Sequence, residues 1–561
     1  MAPAIYDVIV VGTGAGGGMA MKTLCEAGLR VVALNSGRLV VPKKDFTAHT
    51  QPYEMKFRGF MDPKTGALER EGCLTESTQG RGIWEDEIGY TVAPGTKWRW
   101  ARARGVGGKA NFWGRSSARF GDIDYKAATL DGFDVDWPVT EAEMDPYYTR
   151  VEKYIGVAST VQNRPSNPDG HYLPPIKLRC QDYIMQKGAE KMRVPYLPDR
   201  IAQLTVRHGG RPACHYCGNC TSGCDTGAFF APVWLTIPDA QRTGRLELRA
   251  NAHVREVLVD GDGRARGVAY IDRETREERE VLAKAIVLAA SCCETTKIML
   301  NSRSRHWPTG IANSSGQLGK NLSDHLYGGS AYGFLPQLVG QPSNPDWASQ
   351  STVVWMPRWQ NLVNPREEKF IRGYSVYPGG GSTGFPSHYD KIKGFGSEYK
   401  KQIKRYYPAP MAFTIQAPSL PSPSNYIDIV PEQTDVYGIP MARFHFQWGP
   451  NELAMWEHSK QVCADALKAA GGEFWGADGG ADDEPKIPGT SLHETGPCRF
   501  GNDPKKFVTN RFSACHDVPN LYIGDASVFP FATDKTSTIS IMAFTMRACE
   551  HMIEQLRRGE I

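Results

Sequence analysis

What constrains this chain most is the stretch from Ala4 to Gly37. Ile5-Tyr6-Asp7-Val8-Ile9-Val10-Val11 is a β-branched apolar run, the composition of a buried parallel strand. It leads into Gly12-Thr13-Gly14-Ala15-Gly16-Gly17. Met19 to Glu26 then reads as a helix stopped by Gly28, and Arg30 to Leu34 as a second strand. Strand, glycine loop, helix and strand in that order make a dinucleotide-binding unit. Gly12 permits the tight turn, Gly14 lets backbone approach a pyrophosphate, and Gly17 lets the helix pack closely on the strand. The helix start then offers free N–H groups and the positive end of its dipole to the phosphates. The acidic residue that holds the ribose about twenty positions on is here Asn35. An amide still donates and accepts hydrogen bonds but carries no charge, so this position alone does not choose between dinucleotides.

At 561 residues the chain exceeds what one core ordinarily fills, and two or more domains are expected. A net charge of +4 over that length implies neither a nucleic-acid partner nor a membrane surface. No apolar run approaches the roughly 20 residues of a bilayer span. The first strand begins too early for a secretory or twin-arginine signal to precede it, so alone the chain is expected to stay in the cytoplasm.

The 13 cysteines are an odd number, and nine are scattered singly or as the pair Cys292-Cys293, which argues against a disulfide framework. The other four are clustered. Cys214, Cys217, Cys220 and Cys224 follow the C-x2-C-x2-C-x3-C spacing by which bacterial ferredoxins hold an iron–sulfur cluster. Asp225 stands where a proline often follows. In two-cluster ferredoxins the fourth cysteine serves the other cluster, so four ligands to one cluster do not follow from the spacing. Four thiolates also suit a structural zinc, although zinc ribbons split their cysteines into two distant pairs.

Residues 38–95 lack periodicity and read as an excursion over the first domain. Thr140-x-x-Glu143 is a capping box, with Asp145-Pro146 restarting a helix that ends at Gly156. Leu246 to Arg249, Val254 to Val259 and Arg266 to Asp272 read as strands, with a return strand after the charged loop Arg273 to Glu280. Ala285 to Ala290 reads as a further, buried strand. From about 328 to 488 the texture changes. Trp347, Trp355, Trp359, Tyr374 and Tyr377 are spaced by turns, and Tyr426 to Val430 and Met441 to Trp448 alternate as strands. Asn451 to Ala470 is an amphipathic helix with Met455, Val462, Leu467 and Ala470 inward. An antiparallel sheet backed by that helix suits a substrate domain.

A second glycine turn, Arg104-Gly105-Val106-Gly107-Gly108-Lys109-Ala110-Asn111-Phe112-Trp113-Gly114, resembles the second flavin motif of the glucose–methanol–choline (GMC) oxidoreductase family. The resemblance implies that Gly107 and Gly108 lie against an FAD pyrophosphate and that Asn111 borders the flavin ring. Val254 matches the family's valine at the adenine. Ser491-Leu492-His493-Glu494-Thr495-Gly496-Pro497-Cys498-Arg499-Phe500-Gly501 resembles the H-x-x-G-T-C-R-M-G stretch, with Pro497 for Thr and Phe500 for Met, and puts His493 on the catalytic histidine. Leu521-Tyr522-Ile523-Gly524-Asp525-Ala526-Ser527 resembles the segment whose aspartate binds the ribityl chain, which makes Asp525 and Ala526 FAD contacts. Thr536 stands where the family places a second His or Asn before the last helix, here Ser537 to about Arg557. Ser537 replaces the family's proline, and Thr536 offers only a hydroxyl. Gly316 to His325 resembles the segment leaving the FAD domain, with His325 structural rather than catalytic.

The resemblance spans nearly the whole chain and implies an α/β fold. A Rossmann-type FAD-binding domain would be assembled from 1–120, 241–327 and 489–561, with the cysteine excursion at 121–240 and the substrate domain at 328–488. The cysteine run resembles the iron–sulfur branch, the membrane-linked sugar and polyol dehydrogenases. Asp134-Val135-Asp136-Trp137-Pro138, Tyr154-Ile155-Gly156-Val157 and Arg443-Phe444-His445-Phe446-Gln447-Trp448 look like its glucoside 3-dehydrogenase group. The resemblance therefore implies oxidation of a secondary alcohol of a sugar at C3. His493 takes the hydroxyl proton, flavin N5 takes the hydride, and a [4Fe–4S] or [3Fe–4S] cluster drains electrons to a cytochrome c-type acceptor. It further implies a small partner subunit whose twin-arginine signal carries both chains to the periplasm. The rival readings are a gluconate, fructose or polyol dehydrogenase, a peroxide-forming oxidase, and a hydroxynitrile-type lyase in which the flavin is not reduced.

Overall fold

The computed structural model describes residues 5–50, 54, 89–218, 220–342, 353–362, 369–380, 392–477 and 485–561. Trp347 and most of the 38–95 excursion lie outside these residues.

The first strand, Tyr6–Val11, sits inside the main sheet because later parts of the chain close on it. It pairs in parallel with Val31–Leu34 on one side and with Glu278–Leu288 on the other. Leu246–Arg249 extends the sheet beyond Val31–Leu34, and Leu521–Ile523 adds a parallel strand beside Glu278–Leu288. These strands are apolar on both sides because helices cover both faces. The helix Ala15–Glu26 packs against the C-terminal helix Thr538–Arg558.

Glu278–Leu288 is a single 11-residue strand, where the sequence predicts two, around residues 280 and 285. Its first half pairs antiparallel with Ala265–Asp272, itself paired with Ala252–Val259, while its second half joins the parallel core. The charged first half is exposed and the apolar second half buried, so one strand carries two textures.

The first helix begins at Ala15, inside the glycine loop rather than at Met19. Only glycine allows this first turn. A side chain at Gly16 would stand 1.8 Å from the Gly524 carbonyl oxygen, and one at Gly17 2.0 Å from that of Gly12. The capping box at Thr140 and Glu143 forms as expected. The helix it starts runs unbroken from Glu141 to Ile155 with Pro146 inside it, so Asp145-Pro146 does not restart a helix.

A second core lies in a four-stranded antiparallel sheet in the order Ser375–Gly380, Pro410–Ala417, Leu326–Phe334 and Glu473–Gly476. Helix Pro450–Ala469 packs on it through Met455, Trp456, Cys463 and Leu467; Val462 is only half-buried. The hairpin of Tyr426–Thr434 and Pro440–His445 is not part of this sheet. It forms a separate three-stranded sheet with Thr91–Val92, where Phe444 is enclosed by Tyr90, Trp98 and Trp100.

Candidate active site

The two glycine turns face one another. A Cβ on Gly14 would meet nothing within 4 Å, and one on Gly108 would lie 3.5 Å from the Gly14 Cα. Two bare backbone segments thus border open space at the start of a helix, which is the shape and polarity that a pyrophosphate needs. Gly107, at φ 96°, is left-handed, and its missing side chain leaves room for the Asn111 amide. Asn111 is fully buried. Its Nδ2 donates to the Val106 carbonyl at 2.9 Å, while its Oδ1 has no partner among the described residues. An unpaired buried amide oxygen costs about 1–3 kcal/mol, so a ring N–H arriving beside it would be held. The residues present fit an FAD.

Asn35 is placed differently from a ribose ligand. Its amide donates to the carbonyls of Gly37 (3.1 Å) and Arg104 (2.7 Å), and its Oδ1 accepts from the Thr13 hydroxyl at 2.7 Å. Thr13 Oγ1 in turn accepts from the Gly107 N–H at 3.0 Å. Asn35 therefore clamps the two glycine turns together from behind. An aspartate there could not donate to either carbonyl, which gives the substitution a physical reason. Val254, buried beside the end of the second strand, pairs with Tyr270. Asp525 accepts from Ser527 N–H (3.0 Å), Ser527 Oγ (2.6 Å) and Thr295 Oγ1 (2.5 Å). Burial raises its carboxyl pKa. Ala526 is buried next to it.

His493 is half-buried and follows Leu492, a non-glycine residue at φ 64°. Backbone strain of that kind is held only where the surroundings enforce it. They do so here. The buried Asp324 carboxylate accepts from the N–H groups of Gly489 (2.8 Å) and His493 (3.2 Å) and from the Ser491 hydroxyl. The Nδ1 atoms of His493 and His325 lie 2.8 Å apart, the rings edge to face. Burial holds the His493 imidazole pKa well below its ordinary value and pushes that of His325 down to about 4. Both rings are therefore neutral at neutral pH. Next to His493, Glu494 accepts from Lys109 Nζ at 3.1 Å, joining the histidine loop to the second glycine turn.

Thr536 donates its hydroxyl proton to the Ser116 carbonyl at 2.7 Å, leaving only oxygen lone pairs for anything beside it. The preceding Lys535 is fully buried. Its ammonium meets both Asp124 oxygens at 3.0 Å and Asp534 at 2.9 Å, and Asp534 accepts from Ser375 at 2.7 Å. Sequence reasoning does not single out Asp324, Lys109, Glu494 or Lys535. Asp324, Lys109 and Glu494 each stand in a segment that resembles the family's, beside His325, the second glycine pair and His493 respectively, while Lys535 carries no signal beyond its place next to Thr536.

The four clustered cysteines occupy one loop in which Cys220 is buried and Cys214, Cys217 and Cys224 are partly exposed. Burial pushes the Cys214 thiol up to about 11, and the thiols of Cys220, Cys224 and Cys217 add to the shift. Backbone anchors the loop: Cys214 N–H donates to Leu204, and Trp234 Nε1 donates to the Cys224 carbonyl at 2.6 Å. Four thiols on one anchored loop, none in a disulfide, are the donor set that a thiolate-held cluster takes. Cys220 packs with Phe229 and Ala231, and Cys224, Trp113 and Trp234 lie against the same apolar cluster. Trp113 is two residues from Asn111, so the cysteine loop and the flavin turn share one packed wall.

Two profiles described as GMC oxidoreductase match residues 180–327 and 421–545. A 2-methyl-1,2-propanediol dehydrogenase of Mycolicibacterium austroafricanum is 26% identical, over 96% of this chain and 93% of its own. The fructose dehydrogenase large subunit of Gluconobacter japonicus is 24% identical over 99% and 98%. Among solved structures, a point variant of Aspergillus oryzae formate oxidase, studied for its FAD modification, superposes with a TM-score of 0.65 at 14% identity over 99% of both chains.

Proposed function

Because this chain belongs to the GMC oxidoreductase family, we propose that it is an FAD-dependent dehydrogenase oxidising a CH–OH group of a sugar, a glucoside at C3 in the most specific form of the reading. The observation that carries it is the Lys109–Glu494 bridge, which fixes the residue beside His493 against the second glycine turn. A base is thereby held next to a flavin-shaped cradle. FAD, when bound there, supplies the hydride acceptor. The chain's own part is proton handling. With Nδ1 of His493 turned to His325, its Nε2 is the nitrogen left for a substrate hydroxyl. A neutral imidazole can accept that proton, and general base catalysis of this kind contributes roughly 10²–10⁴-fold.

The Cys214–Cys224 loop is the donor set for a [4Fe–4S] or [3Fe–4S] cluster, whose chemistry is transfer of single electrons. Its wall shared with Trp113 supports a route outward to a cytochrome c-type acceptor. The small partner subunit with a twin-arginine signal, and a periplasmic location reached by co-export, rest on the resemblance to the iron–sulfur branch. A relative named as a large subunit is in keeping with them. Among the described residues no helix is long and apolar enough to cross a membrane.

Anaerobic titration of the holoenzyme with glucosides, gluconate, fructose and polyols tests the reading. The expected result is bleaching of the flavin band by one sugar class, followed by faster reoxidation by cytochrome c than by oxygen. A flavin that no sugar or polyol reduces overturns the dehydrogenase. Abundant peroxide in air without an added acceptor shows an oxidase. Fractionation after co-expression with a signal-bearing small subunit, with and without its arginine pair, tests export. A chain cytoplasmic in both cases and fully active alone removes that part.

A further inference from the structure

One face of the cysteine loop is occupied by residues that the electron route does not use. His49 and His215 stack with ring centroids 4.8 Å apart and interplanar angle 18°, and their Nε2 atoms lie 2.6 Å from each other. One nitrogen from each ring and the Cys217 sulfur all fall within 4.8 Å of one another. The Nδ1 of His49 is engaged by Asp225 Oδ2 at 2.6 Å, while Asp225 Oδ1 is buried without a partner among the described residues. With its Nδ1–H donated to Asp225, His49 is held in the tautomer whose Nε2 carries a lone pair on the side of His215. That is the carboxylate–histidine arrangement that orients metal ligands. Two imidazole nitrogens and a thiolate are a borderline donor set, the kind that zinc prefers, with Zn–N near 2.0–2.1 Å and Zn–S near 2.3 Å. A tetrahedral ion would separate the two nitrogens to about 3.3 Å, a shift that two exposed side chains can make.

We propose that His49, His215 and Cys217, with Asp225 orienting His49, form a mononuclear site for a zinc-type divalent cation on the rim of the cysteine loop. The assignment takes Cys217 out of the cluster's donor set and leaves it Cys214, Cys220 and Cys224, the three thiolates that a [3Fe–4S] cluster needs, with Cys220 and Cys224 at the packed wall. The ion ties the segment that follows Phe46 to the loop. Phe46 already fits against Gly223, where any side chain would strike its ring at 2.2 Å.

The inference rests on the cluster reading only in the division of the thiols, and the test separates the two. Zinc, iron and FAD are measured per chain in the anaerobically prepared holoenzyme, in His49→Ala/His215→Ala and in Cys217→Ser, and Co²⁺ is then exchanged into the zinc position. About one zinc per chain is expected in the parent, lost in both variants while FAD and iron stay constant. The cobalt form should show a near-ultraviolet thiolate-to-metal band that is absent in Cys217→Ser. Zinc retained in the histidine variant overturns the site and points to zinc among the cysteines alone. Iron lost with Cys217→Ser or with the histidines overturns it too, because those residues would then serve the cluster. Zinc absent from the parent, with no cobalt band on reconstitution, overturns it outright.

Discussion

His325 and His493 face each other Nδ1 to Nδ1 at 2.8 Å, from segments 168 residues apart. One of the two nitrogens must carry the hydrogen. If His493 is the base at Nε2, its Nδ1 is the donor and His325 the acceptor. His325 then holds the tautomer of its partner, which is more than the structural role its segment suggests. His493→Ala should lower the rate of anaerobic flavin reduction at least about a hundredfold, the lower end for loss of a general base, with FAD still bound. His325→Leu should lower it less, with little change in KM. A His493→Ala enzyme that reduces its flavin at the parent rate would show that the base lies elsewhere.

The pH dependence rests on the same pair. Burial depresses both imidazoles below the ordinary 6.5, His325 to about 4. The competent neutral base is therefore present above 6.5, and the acid limb of the flavin-reduction rate should fall below that pH. Stability has the same sign. Between 6.5 and the folded values the unfolded chain binds protons that the folded chain refuses, so stability drops as pH falls, by up to about 1.4 kcal/mol per pH unit for each histidine. A limb near pH 7 would instead report Asp324, whose carboxyl burial and the nearby Glu494 push up to about 7. Stopped-flow reduction across pH 4–8 in the parent and in Asp324→Asn decides which group titrates.

Two glycines of one loop should fail in different ways. Gly17→Ala places a methyl 2.0 Å from the Gly12 carbonyl oxygen and so forces the helix off the strand. That variant should lose several kcal/mol of stability or fail to fold. Gly14→Ala meets no protein atom within 4 Å. It should fold, with near-parental far-ultraviolet circular dichroism, yet bind FAD at least about tenfold more weakly, since the methyl enters the space left for the pyrophosphate. Fluorescence titration of deflavinated protein measures this. Undiminished FAD affinity in Gly14→Ala would place the phosphates elsewhere.

The sequence is legible wherever the chain states its structure locally. The Gly12–Gly17 loop carries its own turn, helix start and strand, and the capping box at Thr140 needs only Glu143. The separate three-stranded sheet is harder to read because alternation marks Tyr426 to Val430 as a strand without naming its partner, which is Pro440–His445, or the strand Thr91–Val92 that pairs with Pro440–His445 on its other side. The pairs that shape the site are less visible still. Lys109 meets Glu494 across 385 residues and Lys535 meets Asp124 across 411. A charged residue in sequence looks like solvated surface until the fold buries it.

That burial sets the last prediction. Lys535 lies between Asp124 and Asp534 with essentially no exposure of its side chain, and Asp534 is bonded in turn to Ser375 of the substrate-domain sheet. Both carboxylates raise the lysine's pKa, so it stays charged despite its burial. Removing the ammonium leaves two desolvated carboxylates side by side, and breaking a buried pair in this way costs about 3–5 kcal/mol. Lys535→Met should therefore lower the unfolding free energy, read from urea titration of tryptophan fluorescence, by that amount. Lys535→Met with Asp124→Asn should recover part of it, because one stranded charge is gone. Thr536 follows Lys535 directly and bonds the Ser116 carbonyl, so the single variant should also slow flavin reduction. Thr536→Ala, which loses one hydrogen bond worth about 1 kcal/mol, should slow it far less than His493→Ala. If Lys535→Met is as stable as the parent and reduces its flavin at the same rate, the buried triad neither holds the fold nor places the loop.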